Sequence, residues 1–409
     1  MPGTKTAYDY IVVGCGGIGS AALYWLSRLP GAEILGLEQF QLGHERGASQ
    51  DHSRIIRFSY HDPAYVALAA GSYAAWREIE EESGVRVVLK TGGLDLEQQG
   101  TIGAMDLAHC AAALDQFGVA YERLDASEIR ARWPQFQIAD DVHGLFQIDG
   151  GLVDPGKANA VHQRLACAHG VTIFEDTPVR AIQPVGEYLR VVTDQGNYTA
   201  RGVVVAADAW TNQVLGSLGI QWPLTTTLEQ VTYFATPQLR DFAPERFPVW
   251  IWRAAESYYG FPVYGEVATK AGQDVGGEAI AIDERTFEPN PAAAARLRRF
   301  LDATIPTFLG PELYTKTCLY TMPPDRDFIL DRLPEQPNVV VAVGAGHAYK
   351  FAGLLGQILS ELVAAGATEY PIQAFGIDRP ALTDPGFVPI FRNEAVLARD
   401  SDARVSETR

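Results

Sequence analysis

Three glycines near the N-terminus constrain this chain more than any other feature. "YDYIVVG" (8–14) is a short apolar, β-branched run, the pattern of a buried strand. "VVGCGGIG" then sets Gly14, Gly16 and Gly19 in G-x-G-x-x-G spacing, and "SAALYWLSRL" continues as a helix. "AEILGLE" follows as a second strand ending on an acid, Glu38, about 20 residues beyond the last glycine. The spacing alone is weak. Its context of strand, turn, helix, strand and acid makes it a dinucleotide-binding β-α-β unit. Gly14 permits the tight turn, Gly16 lets the backbone approach a pyrophosphate, and Gly19 brings helix against strand. N–H groups at the helix start face the anion, and Glu38 accepts hydrogen bonds from an adenosine ribose. The unit by itself does not separate NAD from FAD. Cys15 occupies the variable position and is expected only to be small.

A chain of 409 residues has room for two domains, or for one large domain with an insertion. Its hydrophobic fraction of 47% is ordinary for a globular protein. The net charge of −17 repels phosphate backbones, which argues against a nucleic-acid partner. No apolar run reaches the roughly 18 residues of a membrane span. The N-terminus lacks a signal-peptide layout and the C-terminal "SETR" is not a peroxisomal address, so the expectation is cytoplasmic. Cys15, Cys110, Cys167 and Cys318 are scattered, with neither metal-like spacing nor a disulfide framework. Cys110 and Cys167 lie in apolar helical contexts and are expected to be packing residues.

Helices are expected over 64–83 and 103–117. The α/β character returns in "KANAVHQRLACAHG", a helix with a glycine cap, and in the strands "VTIFED", "LRVVTDQG" and "YTARGVVVAAD". Residues 220–315 differ. Segments such as "LEQVTYFAT" and "PVWIWRA" are aromatic-rich and alternating, as in an antiparallel sheet. "NVVVAVGAGHAYKFAGLLGQILSELVAAG" restores a strand, a glycine-rich turn and a helix. The fold class expected is α/β, with a discontinuous Rossmann-like domain (1–90, 150–220 and 318–390). Segments 91–149 and 221–317 form an inserted, mainly antiparallel substrate domain, and 391–409 form a polar tail.

Four further segments occur in order: "SRIIRFSY" (53–60), "YYGFP" (258–262), "TCLYTMPPDRDFILD" (317–331) and "GAGHAYKF" (344–351). Added to the fingerprint, they resemble the monomeric sarcosine oxidase and N-methyltryptophan oxidase family of FAD-dependent amine oxidases, over about residues 8–385. The resemblance implies a DAO-type FAD-binding fold and a covalent bond from the Cys318 sulfur to the flavin. A cysteine thiolate is the soft nucleophile such a tether needs. It further implies that Ser49, Ser53, Arg54, Val179, Gly344, Gly346 and Lys350 contact the cofactor, with Arg54 on the flavin ring. Arg57 and Lys350 would hold a substrate carboxylate, Arg57 through its planar fork. His347, Tyr259 and Tyr320 would line the active site, and Lys270 would engage O2. Alternation along an extended 53–60 segment separates the two arginine side chains.

The chain departs from the family at several points. Asp208 in "AADAW" stands where a glycine is usual, Asp274 replaces a histidine after the lysine segment, and Phe58 replaces a histidine after the arginine. Trp252 and Arg253 are candidates for the pocket mouth. The function expected is oxidation of secondary amines, N-methyl or cyclic α-amino acids, by a monomer that uses FAD and O2 and yields an imine and H2O2. An amine dehydrogenase with another acceptor, or a noncatalytic flavoprotein subunit, stays open at this point.

Overall fold

The computed structural model describes residues 5–100 and 107–390. The expected polar tail (391–409) and the first residues of the helix expected over 103–117 lie outside that range. The described part of that helix is Leu107–Gln116.

The first sheet has a parallel core in the order Thr172–Phe174, Ile34–Leu37, Ala7–Val13, Gly196–Val205, Val339–Val343. Parallel strands covered on both faces read as unbroken apolar runs, and Val203 to Val205 and Val339 to Val341 are all fully buried. Besides Ala7–Val13, Gly196–Val205 serves two partners. Its first half pairs with the hairpin strand Tyr188–Thr193, and its end pairs with Val339–Val343. Helices Gly17–Ser27 and Ala352–Ala365 pack against each other over this sheet. Their approach needs Gly356, because a Cβ there would lie 2.4 Å from the Cβ of Ala21.

The second sheet has nine strands drawn from both the early and the late segments. It departs from the expected antiparallel pattern at one junction, where Val249–Arg253 runs parallel to Gly93–Gln98. These strands come from distant parts of the chain, so no hairpin fixes their relative direction. The boundary expected between 317 and 318 falls inside the strand Glu312–Met322, which pairs along its length with Thr225–Phe234. The chain rejoins the first sheet only at Ile329–Arg332.

A three-stranded sheet of Arg54–Ile56, Gly151–Val153 and Val88–Lys90 completes the architecture. Its first strand carries Arg54 and leads directly into Arg57. Among the described residues no helix is long and apolar enough to cross a membrane.

Candidate active site

A cavity of about 1220 Å³ is lined by residues of all three sheets. It extends from Gly14, Gly16, Glu38 and Val179 to Cys318, Lys270, Arg57 and Lys350. Gly14 has φ +86°, and a Cβ there would meet the Ala206 carbonyl oxygen at 2.5 Å. Gly19 is held still more tightly, since a Cβ would sit 1.8 Å from the Gly14 carbonyl oxygen. Glu38 is pinned by the Cys15 and Phe40 backbone N–H groups, at 2.9 and 3.1 Å. The Ser49 hydroxyl accepts from the Gly17 N–H at the helix start, 2.9 Å away.

Cys318 lies on this cavity, and burial pushes its thiol up to about 11, while Arg54 pulls in the opposite direction. Arg54 donates to the carbonyls of Ser53 and Ala48 and lies 3.7 Å from Asp51. Lys270 is also not isolated: its Nζ is 2.6 Å from the Asp51 carboxylate and donates to the Ser53 carbonyl and hydroxyl. Burial pushes the Lys270 ammonium down to about 8 against the pull of Asp51. Asp51 accepts from the Tyr233 hydroxyl at 2.6 Å. Against the opposing effect of burial, Lys270 and Arg54 hold its carboxyl well below the usual range. The lysine expected to engage O2 is thus one member of a Lys270–Asp51–Arg54 cluster with an excess of one positive charge.

The other lobe gathers basic groups. Arg57 donates to Asp95 at 2.9 Å and covers the Tyr60 ring, 4.9 Å from its centre. Lys350 lies 5.5 Å from the same ring and donates to the His347 carbonyl. Its own carbonyl is held by Ser72 and by the Trp76 indole N–H. Burial, and after it Arg57, keeps the Lys350 amine well below its ordinary range. Burial, with Arg326 next, does the same to His347, whose Nε2 contacts the Arg326 carbonyl at 3.1 Å. Tyr259 and Tyr320 line the cavity, and burial raises both hydroxyls. The turn Gly344–His347 carries Ala345 and Gly346 at φ +50° and +75°. A Cβ at Gly346 would lie 2.6 Å from the Tyr320 ring, so glycine is what seats that tyrosine.

Several expectations change. Trp252 does not reach the cavity; it packs in the substrate-domain core, 5.5 Å from the Phe300 ring. Arg253 does line the cavity, and it shares Asp95 with Arg57. Phe58 stacks on Tyr73 at 4.7 Å, away from the cavity lining. Cys167 is exposed rather than packed, because its helix turns that face outward, whereas Cys110 and Cys15 are buried. Asp208 adopts φ +44°, which accounts for a glycine at such a site. Burial pushes its carboxyl up to about 7, and it faces Thr321. Asp274 is ion-paired with Arg326 at 2.8 Å. Sequence reasoning missed Asp51 and Asp95 altogether. Asp51 had one available signal, a place two residues before "SRIIR"; Asp95 had none.

The residues present fit FAD. The cavity exceeds the roughly 300–1,000 Å³ of ordinary small-molecule sites. It also joins a glycine turn closed to a Cβ at Gly14 and Gly19 to a carboxylate at one end and a cysteine at the other. The family profile described as FAD dependent oxidoreductase (DAO) matches residues 9–362. The chain is 35% identical to monomeric sarcosine oxidase of Streptomyces avermitilis over 386 residues, covering 90% of this chain and 96% of that one. It is 29% identical to N-methyl-L-tryptophan oxidase of Citrobacter koseri, covering 91% and 99%. The open form of NikD, an amino acid oxidase essential for nikkomycin biosynthesis, superposes with a TM-score of 0.80 at 27% identity, covering 91% and 98%.

Proposed function

The chain belongs to the DAO family of FAD-dependent oxidoreductases, and from that premise we propose that it oxidises secondary α-amino acids, N-methyl or cyclic, with O2 as acceptor. One observation carries the reading: Arg57 and Lys350 meet over Tyr60 in the same cavity that holds the dinucleotide fingerprint and Cys318. Two basic groups set over one ring in a desolvated lobe are suited to a carboxylate.

When bound, FAD supplies the two-electron acceptor for oxidation at the carbon beside the amine nitrogen. Arg57, anchored by Asp95, and Lys350, anchored through His347 and Trp76, orient the amino acid by its carboxylate. His347 is neutral at its depressed position and offers no competing charge to a neutral amine. Tyr259 and Tyr320 keep their protons and act as hydrogen-bond donors at the pocket wall. Lys270, fixed by Asp51 and Ser53, holds a preorganised positive charge for the reduction of O2. Cys318 is the attachment point for a covalent flavin. The amine loses two electrons and two protons to become an imine, which hydrolyses, and O2 takes both to become H2O2.

The test is a peroxide assay across sarcosine, N-methyltryptophan, pipecolate, proline and glycated amines. Peroxide release with at least one secondary amino acid is expected. Silence across the panel, with reduction of an artificial acceptor instead, would replace the oxidase reading with a dehydrogenase.

A further inference from the structure

Asp208 lines the cavity between its ribose end and its cysteine end. It follows the strand Gly196–Val205, which runs parallel to Ala7–Val13 and ends level with it, Val205 against Val13. Ligands of open α/β sheets bind outside such carboxyl ends. Ala206 closes on the fingerprint. Its N–H donates to the Val13 carbonyl at 2.9 Å, and its own carbonyl oxygen is what a Cβ at Gly14 would strike. Two residues on, Asp208 lines the cavity at φ +44°. Trp210, in the same turn, packs on the ring of Phe40 at 5.5 Å, and Phe40 donates its N–H to Glu38. From the other side Thr321, in the strand that carries Cys318, faces Asp208.

Among the described residues no charged side chain acts on this carboxyl. Burial raises it to about 7, against the Ala209 N–H and Thr321. Its Oδ2 and the Oγ1 of Thr321 are both buried without a hydrogen-bond partner. The titratable groups on the surrounding elements add no charge either. Burial keeps the proton on Cys15 in the fingerprint and on Cys318 and Tyr320 in the facing strand, and it keeps His347, in the turn after Val339–Val343, neutral. Glu38 is bound by the Cys15 and Phe40 N–H groups.

We propose that Asp208 is a cofactor-binding residue that works as a neutral acid: FAD is held with Asp208 protonated, loading the cofactor takes up a proton, and the hold on FAD weakens as pH rises. FAD brings a negatively charged diphosphate to the turn at Gly14–Gly19. An ionised carboxylate in the same cavity is repelled by it and only accepts hydrogen bonds, whereas a protonated one carries no charge and donates. The cofactor therefore favours the form that burial already favours. A glycine, the residue usual here in the family, has no such dependence. The sign follows from linkage. Below about 7 Asp208 holds its proton with or without FAD, and affinity does not depend on it. Above that value the FAD-free protein has lost the proton and takes it back on binding.

The test needs no amine substrate. In the full-length Cys318→Ala protein, whose flavin is free to leave, the FAD dissociation constant is read from flavin fluorescence on dilution between pH 6 and pH 9, with and without Asp208→Asn. The ratio of the constant with Asp208 to that with Asp208→Asn should be flat below pH 7 and rise about tenfold per pH unit above it, the slope of one linked proton. Release of FAD at pH 8, followed with an indicator dye, should free about one proton more from the protein that keeps Asp208. Asp208→Gly, which places the usual residue at φ +44°, is the second reference and should give the same slope. A ratio that stays constant or falls as pH rises would overturn the proposal, whatever the enzyme oxidises. So would an equal proton count from both proteins, or a slope seen against Asp208→Asn alone.

Discussion

Lys270→Met provides the sharpest test of the cluster opposite the substrate lobe, because it separates stability from chemistry. The ammonium lies 2.6 Å from Asp51 and donates to both acceptors of Ser53, with the side chain 2% exposed. Removing it strands a buried carboxylate, and breaking such a pair costs about 3–5 kcal/mol. Asp51 keeps the Tyr233 hydroxyl at 2.6 Å and Arg54 at 3.7 Å, which argues for the lower end, about 3 kcal/mol. Adding Asp51→Asn removes the stranded charge. Asparagine also tolerates the left-handed backbone at this position, φ +89°. The double variant is expected to recover most of the lost stability in urea unfolding followed by tryptophan fluorescence. Chemistry should behave differently. Loss of a preorganised charge slows the step it serves by roughly 10²–10³-fold, so stopped-flow reoxidation by O2 should stay slow in both variants. Flavin reduction by substrate should change far less. If the double variant stays as unstable as the single one, the ion pair is not the source of the loss. Equal slowing of both half-reactions would remove Lys270 from the O2 step.

Three other perturbations follow from the same geometry. Wild-type enzyme denatured in acid should keep its flavin, and Cys318→Ala should release it; free flavin from wild type would refute the tether. Arg57→Ala should weaken carboxylate substrates by about 2–5 kcal/mol, the usual cost of truncating a buried charge pair, and Arg57→Lys should already raise KM. Steady-state kinetics on amino acids and their decarboxylated amines check this, and an equal loss on both would move Arg57 out of substrate binding. Asp208 carries a carboxyl raised to about 7 from an unfolded value near 3.8. The folded state therefore binds its proton more tightly, and the stability it contributes is lost as pH rises between those values. Asp208→Asn should gain stability over wild type as pH rises from 4 to 7. Asp208→Gly should show the same rise with pH and lie about 1 kcal/mol above it, by relieving the left-handed backbone. Urea midpoints that do not depend on pH would contradict the burial of that charge.

Short-range physics was legible in the chain. Gly14, Gly16 and Gly19, the apolar runs beside them and the acid at Glu38 encode a turn and its flanking elements through steric contacts within about thirty residues. The glycine-rich turn before His347 and Lys350 was legible for the same reason, and so were the helices that follow Asp62 and Asp154, each capped by its own side chain. Asp95 was not. It lies 38 residues from Arg57 and 158 from Arg253, and nothing local marks it as their shared partner. The pairing of Glu312–Met322 with Thr225–Phe234, and the parallel junction at Val249–Arg253, likewise had no local signature. Which charges neutralise one another in a desolvated cavity depends on which distant strands become neighbours. That is set by the packing of whole sheets, and only the tertiary structure decided that Lys270 would meet Asp51 and that two arginines would share one aspartate.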